Sequence, residues 1–168
     1  MSEAVPTTNR EIARVFDRMA GILELEIGSD FKSRAYRRGS TTIRNLSSSL
    51  EEMVKDSVTL ETVPGIGKAI AAKIKEFLTT GHVIAYERLK EIHFPLALAL
   101  LDIPGLGGIT TKRLLKDTGV TTVPEFIAAL NSGAITWLPK TGERSATTIV
   151  AQLRENALLG PEPASAWK

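Results

Sequence analysis

Apolar residues recur along most of this chain at spacings of three and four, the period of a helix that buries one side. Ile12, Val15, Phe16, Met19, Ile22 and Leu23 make the first such stripe. It opens at Thr8-Asn9-Arg10-Glu11, which has the form of a capping box, so the pattern predicts a helix to about Glu26, ended by Gly28. Ser29 or Asp30 is placed to cap a second helix, FKSRAYRRGSTTIRNL, with Phe31, Ala35 and Ile43 inward and Lys32, Tyr36 and the arginines outward. Ser47 to Ser49 reads as a turn, and Ser48 with Glu51 as a second capping box for the short helix LEEMVKD.

Beyond Ser57 the stretch TVPGIGKAIAAKIKEFLTT, Thr62 to Thr80, is a Pro-Gly-Ile-Gly turn that opens straight into an amphipathic helix. At 100° per residue Ile70, Ile74, Phe77 and Leu78 share one arc; Lys68 and Lys75 lie roughly opposite, and Lys73 falls at the arc's edge. Gly81 closes this helix, and YERLKEI, Tyr86 to Ile92, is another. Pro95 starts LALALLD, Leu96 to Asp102; Thr122 or Val123 precedes Pro124 at the start of PEFIAALN; a last helix runs from about Glu143 to Asn156. No alternating pattern of useful length appears, so the expected class is all-α. The expected boundary lies near Pro95, giving domains 1–94 and 95–160, with 161–168 as a frayed tail.

The turn-and-helix unit is repeated. LETVPGIGKAIAAKIKEF, Leu60 to Phe77, lies over LLDIPGLGGITTKRLLKD, Leu100 to Asp117, matching leucine, proline and both glycines. Two copies in register are hard to explain as chance turns. A third, worn copy reads LPKTGERSATTIVAQL, Leu138 to Leu153, with Lys140 in place of the first glycine. The unit has the form of a helix-hairpin-helix phosphate binder. Gly65 and Gly67 allow backbone angles closed to other residues, and the helix that follows begins with unpaired N–H groups at the positive end of its dipole. Lys68 adds a full charge, while Ile66 packs inward between the helices. In the second copy Gly105, Gly107 and Gly108 take these places, supported by Lys112 and Arg113.

A net charge of +2 says little about partners, but its distribution says more. Phe31 to Leu50 holds no acid and carries Lys32, Arg34, Arg37, Arg38 and Arg44; Ile103 to Lys116 holds none and carries Lys112, Arg113 and Lys116. Each window alone reads as a solvated helix face. Because both adjoin a hairpin or an aromatic-basic helix, together they read as a polyanion track. The absence of cysteine excludes a disulfide framework and a thiolate metal site, and two histidines, His82 and His93, are too few for a zinc centre. No signal peptide opens the sequence and no apolar run reaches the ~20 residues of a spanning helix, so a soluble intracellular protein with no membrane partner is expected.

The residues Glu11 to Arg38 and Val63 to Gly81 resemble the lyase-type domain at the amino terminus of family X DNA polymerases, the bacterial type most closely, and Asp102 to Leu115 resembles the hairpin of their fingers subdomain. The resemblance implies an all-helical, tandem helix-hairpin-helix fold, lyase-like and then fingers-like, that grips DNA at gaps, nicks or single-stranded ends. It further implies a role in repair beside other repair proteins, in the bacterial cytoplasm at the nucleoid. Under it Gly65, Gly67, Lys68, Arg37, Gly105, Gly107, Gly108, Lys112 and Arg113 contact DNA. Such contacts position a protein without reading sequence. No cofactor is required, but a sodium or potassium ion in each hairpin is implied, held by the main-chain carbonyls of Glu61, Val63 and Ile66 and of Leu101, Ile103 and Leu106.

Lys73 occupies the place of the family's Schiff-base lysine, with Lys32 and Tyr36 in supporting places, which implies a lyase acting on deoxyribose-phosphate ends. Ala69 and Ala85 stand where an animal member has phosphate-binding lysines, and Phe31 where it has a stacking histidine. Tyr36 is open to two readings, stacking on a base or capping the core. The family's polymerase activity needs a palm with closely spaced aspartates for magnesium. The five aspartates here, at 17, 30, 56, 102 and 117, have no such spacing, so polymerase chemistry is excluded unless the chain is part of something longer. A hydrophobic patch without basic flanks would favour a third reading, a protein-interaction module, and the basic windows argue against it.

Overall fold

The computed structural model describes residues 6–93, 95–135 and 146–159. Among them the chain is helical, with no strand, and it divides into two compact units, Met1–Leu89 and Lys90–Lys168. Pro95, the expected boundary, is the first residue of a helix. The expected tail at 161–168 and the first eight positions of the worn third copy lie outside the described residues.

The first unit is built on α1 (Thr7–Leu25) and α2 (Asp30–Arg44), joined by a four-residue connection. Ile12, Phe16, Met19 and Ile22 are almost wholly buried on α1, as their spacing predicts. The face α2 turns inward includes Ile43, as expected, but not Phe31. Ser33, Gly39, Ser40 and Ile43 are buried, Ala35 is half-buried, and Phe31 is 80% exposed in the first turn. Close approach is the reason: a Cβ at Gly39 would stand 3.2 Å from Ile70 Cγ2 and 3.6 Å from Phe16 Cδ2, and Ser40 Oγ donates to the Ala13 carbonyl at 2.7 Å. Small and hydrogen-bonding residues therefore fill a seam that a large aromatic could not enter.

Neither expected capping box forms. Helix α1 begins at Thr7 after Pro6, and the Thr8 hydroxyl donates instead to Glu51 Oε1 at 3.0 Å. Helix α3 (Leu50–Lys55) begins after Ser49 with no cap from its own side chain. Its start is capped from α1: the buried Asn9 accepts from the Leu50 N–H at 3.0 Å and donates to the Ser48 carbonyl at 2.9 Å. One amide thus satisfies a helix terminus and ties α1 to α3.

A 3₁₀ turn, Leu60–Thr62, leads to the first hairpin and α4 (Lys68–Thr80), which ends at Gly81 with φ of 79°. Helix α5 (Ile84–Ile92) follows, its first N–H held by Glu76 Oε1 at 3.1 Å and its Tyr86 buried, with the phenol accepting from Arg18.

The second unit contains α6 (Pro95–Leu101), α7 (Gly108–Thr118), α8 (Val123–Asn131) and α9 (Ala146–Leu159). Leu100, Ile103, Leu114, Phe126 and Leu153 centre its core. Helix α8 carries a formed capping box, Thr122 with Glu125, and hydrogen bonds to that carboxylate from the Thr121 and Thr122 N–H groups and from the Thr122 side chain lower its pKa.

Candidate nucleic-acid interface

The two hairpins share one backbone design. In the first, Ile66 N–H donates to the Val63 carbonyl at 3.0 Å across Pro64-Gly65, and in the second Leu106 N–H donates to Ile103 at 3.0 Å across Pro104-Gly105. Gly65 and Gly105 have φ of 94° and 89°, so each is a type II turn with proline second and a left-handed glycine third. The bonds on either side repeat as well: Val63 to Leu60 and Ile103 to Leu100 before the turn, Ala71 to Gly67 and Thr111 to Gly107 after it. Leu60 and Leu100, Ile66 and Leu106, and Ile74 and Leu114 are buried in register.

The second glycine of each pair behaves unlike the first. Gly67 has φ −83° and ψ 172°, and Gly107 φ −76° and ψ 173°, extended angles that any residue adopts. The expectation that both glycines need special angles is corrected here. Space explains the difference: nothing lies within 4 Å of a Cβ built on Gly67, so its surface is bare main chain open to solvent. The first helical bond of α4 is from Ala71, so the N–H groups of Lys68, Ala69 and Ile70 precede it at the positive helix end. Lys68 is exposed beside them. In the second hairpin Gly107 is exposed, Gly108 is buried as the first residue of α7, and Ile109 stands 75% exposed, a feature its helical spacing did not signal.

The basic side chains sort into two groups. Lys32, Arg34 and Arg38 are exposed on α2. Arg37 is half-exposed and grips Glu24 with 2.8 and 3.0 Å contacts, with Asp17 at 3.9 Å, while Arg44 pairs with Asp17. Glu24 also accepts from Ser33 and is only 15% exposed. Arg113 lies 3.5 Å from Asp117 one turn on along α7, and Lys112 is half-buried.

Lys73 and Tyr36 come together across α4 and α2. The Lys73 ammonium lies 6.0 Å from the centre of the Tyr36 ring, which packs at 5.6 Å and 59° against Phe16. Tyr36 therefore caps the core with one end and meets Lys73 with its ring. Burial, helped by the negative charge of Glu76, raises its pKa to about 12. Lys32 lies one helical turn before Tyr36 and is exposed. Because folding raises this pKa, the folded state holds its proton more tightly, and stability is expected to fall as pH rises from about 10 to about 12. Phenolate absorbance followed against pH should show a late-ionising tyrosine that Tyr36→Phe removes; persistence of that phase in the variant would rule the assignment out.

No cluster of metal-ligating side chains occurs among the described residues, and none of their helices is long and apolar enough to cross a membrane. Residues 7–83 match the family described as Helix-hairpin-helix domain, and residues 97–155 the SAM-like Helix-hairpin-helix tandem. The chain is 31% identical over 147 residues to the DNA polymerase/3'-5' exonuclease PolX of Bacillus subtilis (strain 168), covering 87% of this chain and 25% of that protein. It is 27% identical over 110 residues to DNA polymerase lambda of Arabidopsis thaliana, covering 65% of this chain and 20% of that one. It thus spans a quarter or less of the length of these relatives.

Proposed function

Because the chain is a tandem helix-hairpin-helix protein that resembles the amino-terminal region of family X DNA polymerases, we propose that it is a DNA-binding module gripping backbone phosphates at gaps, nicks or single-stranded ends, in DNA repair. The observation that carries this reading is the repeated hairpin, a left-handed glycine turn followed by a helix start. Main-chain donors at Gly67 and the start of α4, with Lys68, take one phosphate; Gly105, Gly107 and the start of α7, with Lys112 and Arg113, take another. Its place of action is the cytoplasm, at the nucleoid. Under this reading a monovalent cation would be held in each turn by main-chain carbonyl oxygens, those of Glu61, Val63 and Ile66 and those of Leu101, Ile103 and Leu106. Val63 and Ile103 each already accept one turn bond and retain one lone pair.

The reading is tested by fluorescence anisotropy on gapped duplexes of unrelated sequence. With about four to six phosphates neutralised, affinity is expected to fall roughly 10²- to 10³-fold between 50 and 200 mM salt, about equally for every sequence. No binding at low salt would sink the proposal. A second reading, a deoxyribose-phosphate lyase using Lys73 with Tyr36 and Lys32 in support, is favoured by the approach of Lys73 to Tyr36.

A further inference from the structure

Helix α2 passes directly against the first hairpin. Thr42 Oγ1 donates to the Pro64 carbonyl at 3.1 Å, so the turn is anchored at its second residue. A Cβ on Gly65 would collide with that same hydroxyl and would lie 3.3 Å from Arg38 Cγ. The aliphatic stem of Arg38 therefore runs beside the glycine turn, one helical turn before Thr42. Its side chain is exposed, and no acid among the described residues pairs with its guanidinium.

Helical geometry explains why neighbouring arginines differ. At 100° per residue Arg34 and Thr42 lie about 40° to either side of Arg38, whereas Arg37 and Arg44 lie about 100–120° away. That second direction faces α1, where Asp17 and Glu24 take both arginines into ion pairs. A charge already held by two carboxylates gains little from a phosphate. An unpaired guanidinium whose stem lies against the glycine turn gains more, since it replaces only water and counterions.

Resting on the DNA-binding reading above, we propose that Arg38, rather than Arg37, completes the phosphate grip of the first hairpin, and that Thr42 is the residue that positions the turn. The acid-free window on α2 and the hairpin then form one continuous surface, and its ligand is the DNA backbone.

The test uses the full chain and gapped duplex, with affinity measured against salt and melting followed for every variant. Arg38→Gln is expected to bind about five- to tenfold more weakly at 0.1 M salt and to lower the log–log salt slope by about 0.9, one phosphate's worth, with melting unchanged. Arg38→Lys should restore the slope. Arg37→Gln is expected to leave the slope unchanged and to melt earlier. Thr42→Val should weaken binding at every salt concentration without altering the slope, and Thr42→Ser should recover it. A slope unchanged in Arg38→Gln, or lowered in Arg37→Gln instead, overturns the assignment of Arg38; normal affinity in Thr42→Val overturns that of Thr42. Failure of the unmodified chain to bind overturns both, together with the reading they rest on.

Discussion

Gly65→Ala is expected to destabilise the first unit by about 1.5–3.5 kcal/mol, while Gly67→Ala, two residues away in the same motif, leaves melting nearly unchanged. At φ of 94° an alanine carries roughly 1–2 kcal/mol of backbone strain. Its Cβ would also meet Thr42 Oγ1, and that hydroxyl cannot move aside without giving up its bond to Pro64, a further loss of about 0.5–1.5 kcal/mol. For a unit of this size such a change lowers Tm by roughly 10–20 °C. At Gly67 the angles are ordinary and the space is empty, so folding has no stake in the glycine. In the proposed binding mode a Cβ there would stand in the path of a phosphate, and the cost is expected to appear as a loss of DNA affinity of about tenfold or more, near 1.4 kcal/mol. Thermal melting and anisotropy on the same two variants separate the roles. Equal melting of both would mean that the turn relaxes and that the collision at Thr42 carries no weight.

What the sequence could show of this site depended on how local the cause was. The hairpins were legible because their determinants are contiguous: proline at the second turn position, glycine at the third, a buried Leu or Ile after it, and the same order forty residues on. The steric part of the distinction between the two glycines was hidden, because the group a Gly65 Cβ would meet is Thr42, twenty-two residues before Pro64. The faces of α2 were misread for a similar reason. Hydrophobicity placed Phe31 inside and all arginines outside, but the inner seam is set by how closely α1 approaches Gly39 and Ser40, and the fate of Arg37 by Glu24 on α1. Capping was misread wherever a distant partner competed. Thr8 is drawn to Glu51, and α3 is capped by Asn9, whereas at Thr122 no rival intrudes and the local box forms.

Those same long-range contacts bear on Lys73, whose wheel position at the edge of the apolar arc said only that it was half-covered. In the folded chain its ammonium faces the Tyr36 ring, while Lys68 is exposed beside the hairpin. If the lyase reading holds, the Lys73 amine attacks the aldehyde carbon of a 5′-deoxyribose-phosphate, and loss of water leaves a protonated imine. Removal of a proton from the adjacent carbon then breaks the bond to the 3′-oxygen and frees a 5′-phosphorylated DNA end. Tyr36, with its pKa near 12, stays protonated through the whole neutral range and so serves as a hydrogen-bond donor rather than the base. Borohydride delivers hydride to the imine carbon and converts it to a stable secondary amine, so a trapped protein–DNA species is expected with the unmodified chain. Lys73→Ala and Lys73→Arg should both lose it completely, the arginine variant preserving charge and packing against Tyr36. Lys68→Ala should still be trapped once DNA is raised to offset its weaker binding. The alternative, Lys73 as a plain phosphate contact, requires no trapped species at saturating DNA with affinity intact, and that result would leave the binding module without the lyase.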